Sequence, residues 1–321
     1  MCALPSPNSI NKRIKELSLG VIDLKNEKYA NMRFAVAVCD CNLFIKPRET
    51  KELSENGFDT NCETLCRRGE IVILLSDKPE NGFYKVHSQN SFGYVKQENI
   101  GFISREKALD ILNSPNFLCV TDKFIITNPD RDKTISKIPL SFGTRLIFTK
   151  FENSVYTVKL PIRGKSGSAF FKDAKVPANT AVHRGYMKFS RKNILSLSLH
   201  MRGMPYDWGE SFGGCDCSSL ICSAFSICGI FLPRNSAKIG EISSKAIPVK
   251  NGNLKKCHPA DIIMCKGHIM LYYGKHRGKH YVFHSFLGTK GITDITTVDE
   301  ITSSGSTFLE IAEKIIPLKY I

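Results

Sequence analysis

The sequence predicts an α+β fold in which small β-rich modules precede a domain where one helix faces an antiparallel sheet. Three observations carry that expectation. From about residue 33, short runs rich in β-branched and aromatic residues (RFAVAV, EIVILL, GFYKVH, FGYV) alternate with polar turns such as ENG and SQN, the spacing of a small barrel or sandwich. An apolar run with Leu220, Ala224 and Phe225 near helical spacing follows Cys217 and meets a natural stop at Gly229. Beyond it, DIIMCK, HIMLYYG and HYVFHSF read as successive antiparallel strands, with turns at Lys266-Gly267 and Lys275–Lys279.

At the start of the chain, Ile10, Ile14 and Leu17 fall at helical spacing after Ser9, a candidate N-cap, and Gly20 marks a stop. This reads as one short helix. The β-rich part contains an internal echo, in which Gly69-EIVILL leading to Tyr84-Lys85-Val86 resembles Gly143-TRLIF leading to Tyr156-Thr157-Val158. Two similar β modules are therefore expected. NILSLSLHM is ambiguous by pattern, because Leu195, Leu197 and Leu199 alternate as a strand would.

With 321 residues the chain exceeds one typical domain, so two or three compact units are expected. An apolar fraction of 42% and a charged fraction of 23% suit an ordinary globular protein rather than a disordered one. No apolar run approaches the roughly 20 residues needed to span a bilayer. The opening MCALPSPNSINKRIKEL has no basic region followed by an apolar core, so no secretory signal is read and a cytoplasmic location is expected; an extracellular or periplasmic one needs another route. The 12 cysteines are spread through a large chain without an export signal, which favours reduced thiols over a disulfide framework. Cys39-x-Cys41 and Cys62-x3-Cys66 resemble zinc half-sites but lack a complementary pair, so neither metal nor cofactor is expected. Cys222 and Cys228 read as small apolar packing residues. The net charge of +15 attracts polyanions, yet the basic residues are scattered apart from short clusters such as Lys12-Arg13 and Arg67-Arg68. No nucleic-acid motif accompanies them, which disfavours a nucleic-acid partner.

The chemistry concentrates in residues 205–236, PYDWGESFGGCDCSSLICSAFSICGIFLPRNS. Cys217 sits there at a Gly-rich turn that opens into the apolar helical run. The unpaired amides and dipole at a helix start favour a thiolate, and the same amides can receive an oxyanion. His268 and His284 follow on two expected strands. A cysteine and then two histidines fit nucleophile, base and orienter.

Pro205-Tyr206, Trp208-Gly209, Asp216-Cys217-Ser218, Leu232-Pro233-Arg234 with Ser236, His268 with Tyr272 and Gly274, and His284-Ser285 occur in the order of the NlpC-type cell-wall peptidases. The chain resembles that papain-like cysteine peptidase family over about residues 195–310. It departs at Glu210 and Ser219, where the family commonly has glycine. The resemblance implies a helix at NILSLSLHM within a papain-like catalytic domain at 191–321, preceded by two Src-homology-3-like β-barrels at 33–115 and 116–190 and a short helical segment at 1–32. By the same resemblance Cys217 is the nucleophile, His268 the base and His284 the orienter. His280 stands as a rival for the third place, because Lys275–Lys279 looks like a small insertion.

Relatives with tandem barrels act on peptides with a free N-terminal L-Ala and cut the γ-D-glutamyl–diamino acid bond of peptidoglycan-derived peptides, without a metal. In that setting Asp216, helped by Ser218, pairs with the substrate ammonium, and Tyr206 and Ser236 are further substrate contacts. An anionic cell-wall polymer suits the basic surface. Two other readings stay open: an exported endopeptidase on intact wall, and a non-catalytic basic protein that binds wall or nucleic acid on a peptidase scaffold. The intact Cys217, His268 and His284 weigh against the latter.

Overall fold

A computed structural model of the chain describes residues 4–17, 21, 23, 25–179, 181–250, 252–288, 291–302 and 305–321. It divides into two compact units, Gly20–Met187 and a second made of Met1–Leu19 with Lys188–Ile321. The first helix, α1 (Pro7–Glu16), thus belongs with the C-terminal half. Its cap is Ser6, whose hydroxyl accepts the Ser9 N–H, and not Ser9 as the sequence suggested. Pro7 explains the earlier start, since proline fits the first helical turn, where no N–H is needed. Ile10 and Ile14 are buried, and the Asn11 side chain donates to the Gly229 carbonyl at 2.7 Å and accepts the Phe231 N–H at 3.0 Å. Gly20, the expected stop, lies outside the described residues.

In the unit Gly20–Met187, β1 (Phe34–Ala37), β2 (Cys41–Phe44), β3 (Cys62–Cys66), β4 (Ile71–Leu74), β5 (Phe83–His87), β6 (Phe92–Lys96) and β7 (Ile100–Ile103) form one antiparallel sheet of order β3-β2-β6-β5-β4-β1-β7. Every one of these strands sends a residue into a common core (Ala35, Leu43, Cys66, Val72, Val86, Val95, Ile100), so the sheet curls around it. Helix α2 (Arg105–Asn113), capped by Ser104, buries Ala108 and Ile111 against Phe34, Val36, Ile71 and Ile73. A second set follows: β8 (Phe117–Val120), β9 (Phe124–Ile126), β10 (Pro139–Ser141), β11 (Arg145–Glu152), β12 (Val155–Arg163), β13 (Ala169–Pro177) and β14 (Val182–Arg184). Five of them pair in the order β13-β12-β11-β8-β14, with β9 and β10 as a separate ribbon, over a core including Leu118, Leu140, Leu146, Val158 and Leu160. The sequence echo has a backbone counterpart. Gly69 (φ 87°) and Gly143 (φ 85°) take the same left-handed conformation just before β4 and β11, and each of those strands pairs with the next.

The other unit continues with α3 (Arg191–His200), α4 (Cys217–Ile227) and α5 (Ser236–Ile239). The ambiguous segment is helical because Ser190 caps it and Ile194, Leu197 and Ser198 share its buried face. Strands β15 (Ile247–Pro248), β16 (Ile262–Cys265), β17 (His268–His276), β18 (Lys279–Phe286), β19 (Ile292–Thr297) and β20 (Ala312–Ile316) form an antiparallel sheet of order β15-β20-β16-β17-β18-β19. Helix α4 packs against β17 and β18. The segment Lys275–Lys279 forms a hairpin. His276 pairs with Lys279 across a two-residue turn, with Arg277 (φ 46°) and Gly278 (φ 82°) both left-handed, as a tight hairpin requires. Among the described residues no helix is long and apolar enough to cross a membrane.

Candidate active site

The turn ahead of α4 is built by residues that the sequence reading did not single out. The buried Asp207 carboxylate accepts the N–H of Phe212 at 2.6 Å and of Gly214 at 3.0 Å, and the Ser211 hydroxyl at 2.8 Å. A side chain at Gly214 would collide with the Pro205 carbonyl and with Asp207. The Ser285 hydroxyl donates to the Cys215 carbonyl at 2.6 Å, tying β18 to the residue two places before Cys217. Cys215 itself is buried, its sulfur 3.1 Å from the Thr293 hydroxyl.

Cys217 is the first residue of α4, with Asp216 as its N-cap. The Asp216 carboxylate accepts the N–H of Ser218 (3.1 Å) and Ser219 (2.8 Å), the Asp216 carbonyl accepts that of Leu220 (3.1 Å), and the Ser219 hydroxyl accepts the Asp216 N–H (2.9 Å). Ser219, one of the two departures from the family pattern, thereby closes a capping box. Of the four amides that open the helix, the Cys217 N–H has no hydrogen-bond partner among the described residues. The second departure, Glu210, is buried at φ 61°, a conformation that glycine adopts without steric cost.

Asp216 is not the bare carboxylate that the sequence reading assigned to a substrate ammonium. The Arg234 guanidinium grips both of its oxygens, one at 3.1 Å and the other in a shorter contact, and also donates to the Ser218 hydroxyl at 2.7 Å. The Gly209 N–H (3.2 Å) and the Ser218 hydroxyl (3.0 Å) add two more donors to the carboxylate. Asp216 and Arg234 are only 6% and 7% exposed, so little solvent screens the pair. Burial pushes the Asp216 carboxyl up, but the Arg234 charge and these donors outweigh it and hold it below the ordinary value. Ser218 is committed to the same network. Tyr206 is half-buried, and burial together with Cys217 and Asp216 pushes its hydroxyl up, so it stays a neutral donor. Ser236 opens α5 and is half-buried.

His268 opens β17 directly after the Lys266-Gly267 turn, and His284 lies on the neighbouring β18. Their rings meet: His268 Nε2 and His284 Nδ1 are 2.8 Å apart, and His284 Nε2 is 2.9 Å from the Thr296 hydroxyl on β19. His280 is outside this line, with its Nδ1 2.7 Å from the Tyr272 hydroxyl. Phe286 stacks on His284 and Phe308 meets it edge-on, so both histidines are walled by aromatic rings. Thr296 and Phe308 carried no recognisable signal in the sequence.

These surroundings set the charges. Burial, and then the His284 ring, pull His268 well below the ordinary imidazole value; burial pulls His284 down to about 4, with Asp294 opposing. Cys217 is half-buried, but its sulfur is enclosed, and desolvation followed by the Asp216 charge pushes the thiol up to about 12. The Ile269 N–H, Arg234 and the Ser218 N–H pull the other way and lose. Both shifts oppose the thiolate that the helix start favours, because at this site desolvation acts against charge on either group. His268 Nδ1 has no hydrogen-bond partner among the described residues and is the ring atom left to take a proton. Among the described residues, no group of three or more His, Cys, Asp or Glu side chains is arranged to hold a metal ion.

Residues 203–303 match the family described as NlpC/P60. The chain is similar to a dipeptidyl-peptidase 6 of Lysinibacillus sphaericus, 31% identical over 111 residues that make up 34% of this chain and 37% of the relative. The match spans little more than a third of that relative's length. Among solved structures, an NlpC/P60 endopeptidase of Photobacterium damselae subsp. piscicida superposes with a TM-score of 0.71 at 17% identity, covering 97% of this chain and 78% of that one. An NlpC/P60 family protein of Bacillus cereus gives 0.68 at 18% identity, over 89% and 99% respectively. At such identities the likeness speaks for the fold alone, a mixed α+β domain that follows β-rich modules in the chain, and that fold agrees with the family match in sequence. Residues 203–303 of this chain are an NlpC/P60 domain.

Proposed function

We propose that this protein is a cysteine peptidase that hydrolyses the γ-D-glutamyl–diamino acid bond of peptidoglycan-derived peptides, with Cys217 as nucleophile, His268 as base and His284 as orienter. The observation that supports it most is a conjunction: a cysteine that opens a helix with its own amide unoccupied and its sulfur near the Ile269 N–H, next in sequence to a histidine whose free ring atom is Nδ1 and whose Nε2 is fixed by a second histidine. With Nδ1 unprotonated, the neutral His268 carries its proton on Nε2 and donates it to His284 Nδ1, and His284 Nε2 donates to Thr296. As a peptide carbonyl enters, the Cys217 proton moves to His268 Nδ1 and the sulfur attacks the carbonyl carbon. The Cys217 N–H receives the developing oxyanion. His268 then protonates the departing amine, and water releases the acyl group. The catalytic domain is assigned to 191–321, and the β modules to 33–115 and 116–190.

For the free N-terminal L-Ala we assign Tyr206 and Ser236 as contacts, with Asp216 and Ser218 shaping the pocket from within the Arg234 network. That network also favours a second reading, an endopeptidase indifferent to a blocked amine, since Asp216 already has its cation. A wall polymer on the basic surface is retained as a partner of either form. The test is release of L-Ala-γ-D-Glu from L-Ala-γ-D-Glu-meso-diaminopimelate beside its N-acetylated copy, with wild type and Cys217→Ala. Cleavage of the free peptide alone, lost in the variant, is expected. Equal cleavage of both selects the endopeptidase, and cleavage of neither by folded, reduced protein returns the question to a binding protein on a peptidase scaffold.

A further inference from the structure

Far along the chain from Cys217, the first β module sets three thiols in a row. Strands β2 and β3 pair so that Cys41 lies directly opposite Cys66. Cys39, two residues before Cys41, and Cys66 both lie close enough to the Cys41 thiol to act on its titration. Cys41 and Cys66 are 6% and 1% exposed, whereas Cys39, in the bend between β1 and β2, is half-buried and reaches the Asn99 side-chain oxygen at 3.4 Å. Arg68 stands over the row: its N–H donates to Asp40 at 2.8 Å and its guanidinium to the Pro161 carbonyl at 3.1 Å, beside Cys39 and Cys41. Cys62 registers against Phe44 instead. Directly opposed residues of antiparallel strands have Cα atoms about 4.5–5.5 Å apart. That lies within the roughly 4.4–6.8 Å over which a disulfide closes.

We propose that Cys39, Cys41 and Cys66 are a thiol relay oxidised by hydroperoxides, which ends in a Cys41–Cys66 disulfide fastening β2 to β3. Cys39 is the entry, because the other two sulfurs are shielded from solvent. Its sulfur attacks a peroxide oxygen; an S–O bond forms, the O–O bond breaks, and the alcohol (water, for hydrogen peroxide) leaves with the thiol proton. The Cys41 sulfur displaces the resulting hydroxyl, forming an S–S bond and releasing water with its own proton. Cys66 then attacks the Cys41 sulfur; a new S–S bond forms, the Cys39–Cys41 bond breaks, and the Cys66 proton passes to the departing Cys39 sulfur. Two thiols are oxidised and one hydroperoxide is reduced to an alcohol and water. The thiols of Cys39, Cys41 and Cys66 are all held above the ordinary value, by one another and by burial, with Arg68 opposing at Cys39, so each step runs in the minutes-to-hours range of uncatalysed exchange.

The test uses the full chain, reduced, desalted, treated with hydrogen peroxide at neutral pH and quenched with iodoacetamide. Tryptic digestion without reductant separates the peptide holding Cys39 and Cys41 from that holding Cys62 and Cys66. The expected result is a linked pair lighter by two hydrogens, joined through Cys41 and Cys66, and a melting temperature of this unit raised by roughly 5–10 °C and restored by dithiothreitol. Cys66→Ser is expected to stop the product at Cys39–Cys41 within one peptide, and Cys39→Ser to slow the inter-strand link at least tenfold. The relay is overturned if the wild-type peptides stay unlinked at full oxidation, if they join through Cys62, or if Cys39→Ser links as fast as wild type. Circular dichroism of the reduced variants checks that they are folded, and the linkage pattern and melting shift of the wild type stand without any variant.

Discussion

Replacing Arg234 by Met tests whether the helix that begins at Cys217 is held by a buried ion pair. The change removes the guanidinium and keeps an unbranched apolar stem. Asp216 retains the Ser218, Ser219 and Gly209 amides and the Ser218 hydroxyl, but loses both charge-assisted contacts, and at 6% exposure water cannot replace them. Breaking a buried pair by removing one partner costs about 3–5 kcal/mol. The affected unit has about 150 residues, so its melting temperature should fall by roughly 10 °C. Adding Asp216→Asn removes the stranded charge while keeping an oxygen for the two serine amides, and the loss should shrink to about 1–2 kcal/mol. Urea denaturation followed by tryptophan fluorescence suits the assay, because Trp208 is the single tryptophan and lies in this unit. The reasoning fails if Arg234→Met unfolds within 1 kcal/mol of wild type, or if the double variant is no more stable than the single one.

Three further outcomes follow from the same geometry. His284→Ala should lower kcat by about 10²–10⁴, whereas His280→Ala, whose ring hydrogen-bonds with Tyr272, should stay within about threefold of wild type; comparable losses would displace His284 from the relay. His284 is held at about 4 against 6.5 for an unperturbed ring, so between those values the unfolded chain binds the extra proton and stability falls as pH drops through the window. The share lost is up to about 3 kcal/mol, and His284→Gln should flatten the acid limb of a stability–pH curve; an unchanged slope would contradict the assignment. Ser219→Ala opens the capping box and should cost about 1 kcal/mol by urea titration, with no change expected if that hydroxyl is idle.

The parts of this molecule that were legible in the sequence are those written in local pattern. Cys217 at a helix start and the strands that carry His268 and His284 follow from short-range periodicity and turn chemistry, whereas the run capped by Ser190 alternates like a strand and its helix comes from the family resemblance. Three features were not legible, each because it depends on contacts remote in sequence. Arg234 was visible within Leu232-Pro233-Arg234, but nothing local says that its guanidinium returns 18 residues to fill Asp216. Likewise Thr296 and Phe308 complete the surroundings of His284 from a strand and a loop without motifs. The adoption of α1 into the C-terminal unit rests on Asn11 reaching Gly229 and Phe231, more than 200 residues away. A nearer signal existed for Asp207: an aspartate followed by Ser211 and the glycines at 213 and 214 is the composition of a side-chain-capped turn.

The charge state of Cys217 decides which experiment can recognise catalysis. A thiolate already formed at rest would mark itself by fast alkylation on a plateau that extends from about pH 5 to pH 8, as in thiol peptidases with a depressed cysteine pKa. Here burial and Asp216 push the thiol up to about 12 while burial holds His268 well below the ordinary imidazole value, so a neutral pair is the expectation throughout that range. Iodoacetamide should then react with Cys217 at a rate that climbs about tenfold per pH unit between pH 6 and 9, in step with the thiolate fraction. A flat profile over that interval would refute the neutral pair and restore the ion pair. If the climbing profile is found, slow labelling at pH 7 ceases to distinguish an enzyme from an inert scaffold, because both carry a protonated Cys217. Only turnover of the tripeptide separates them, for it supplies the carbonyl that makes proton transfer to His268 favourable.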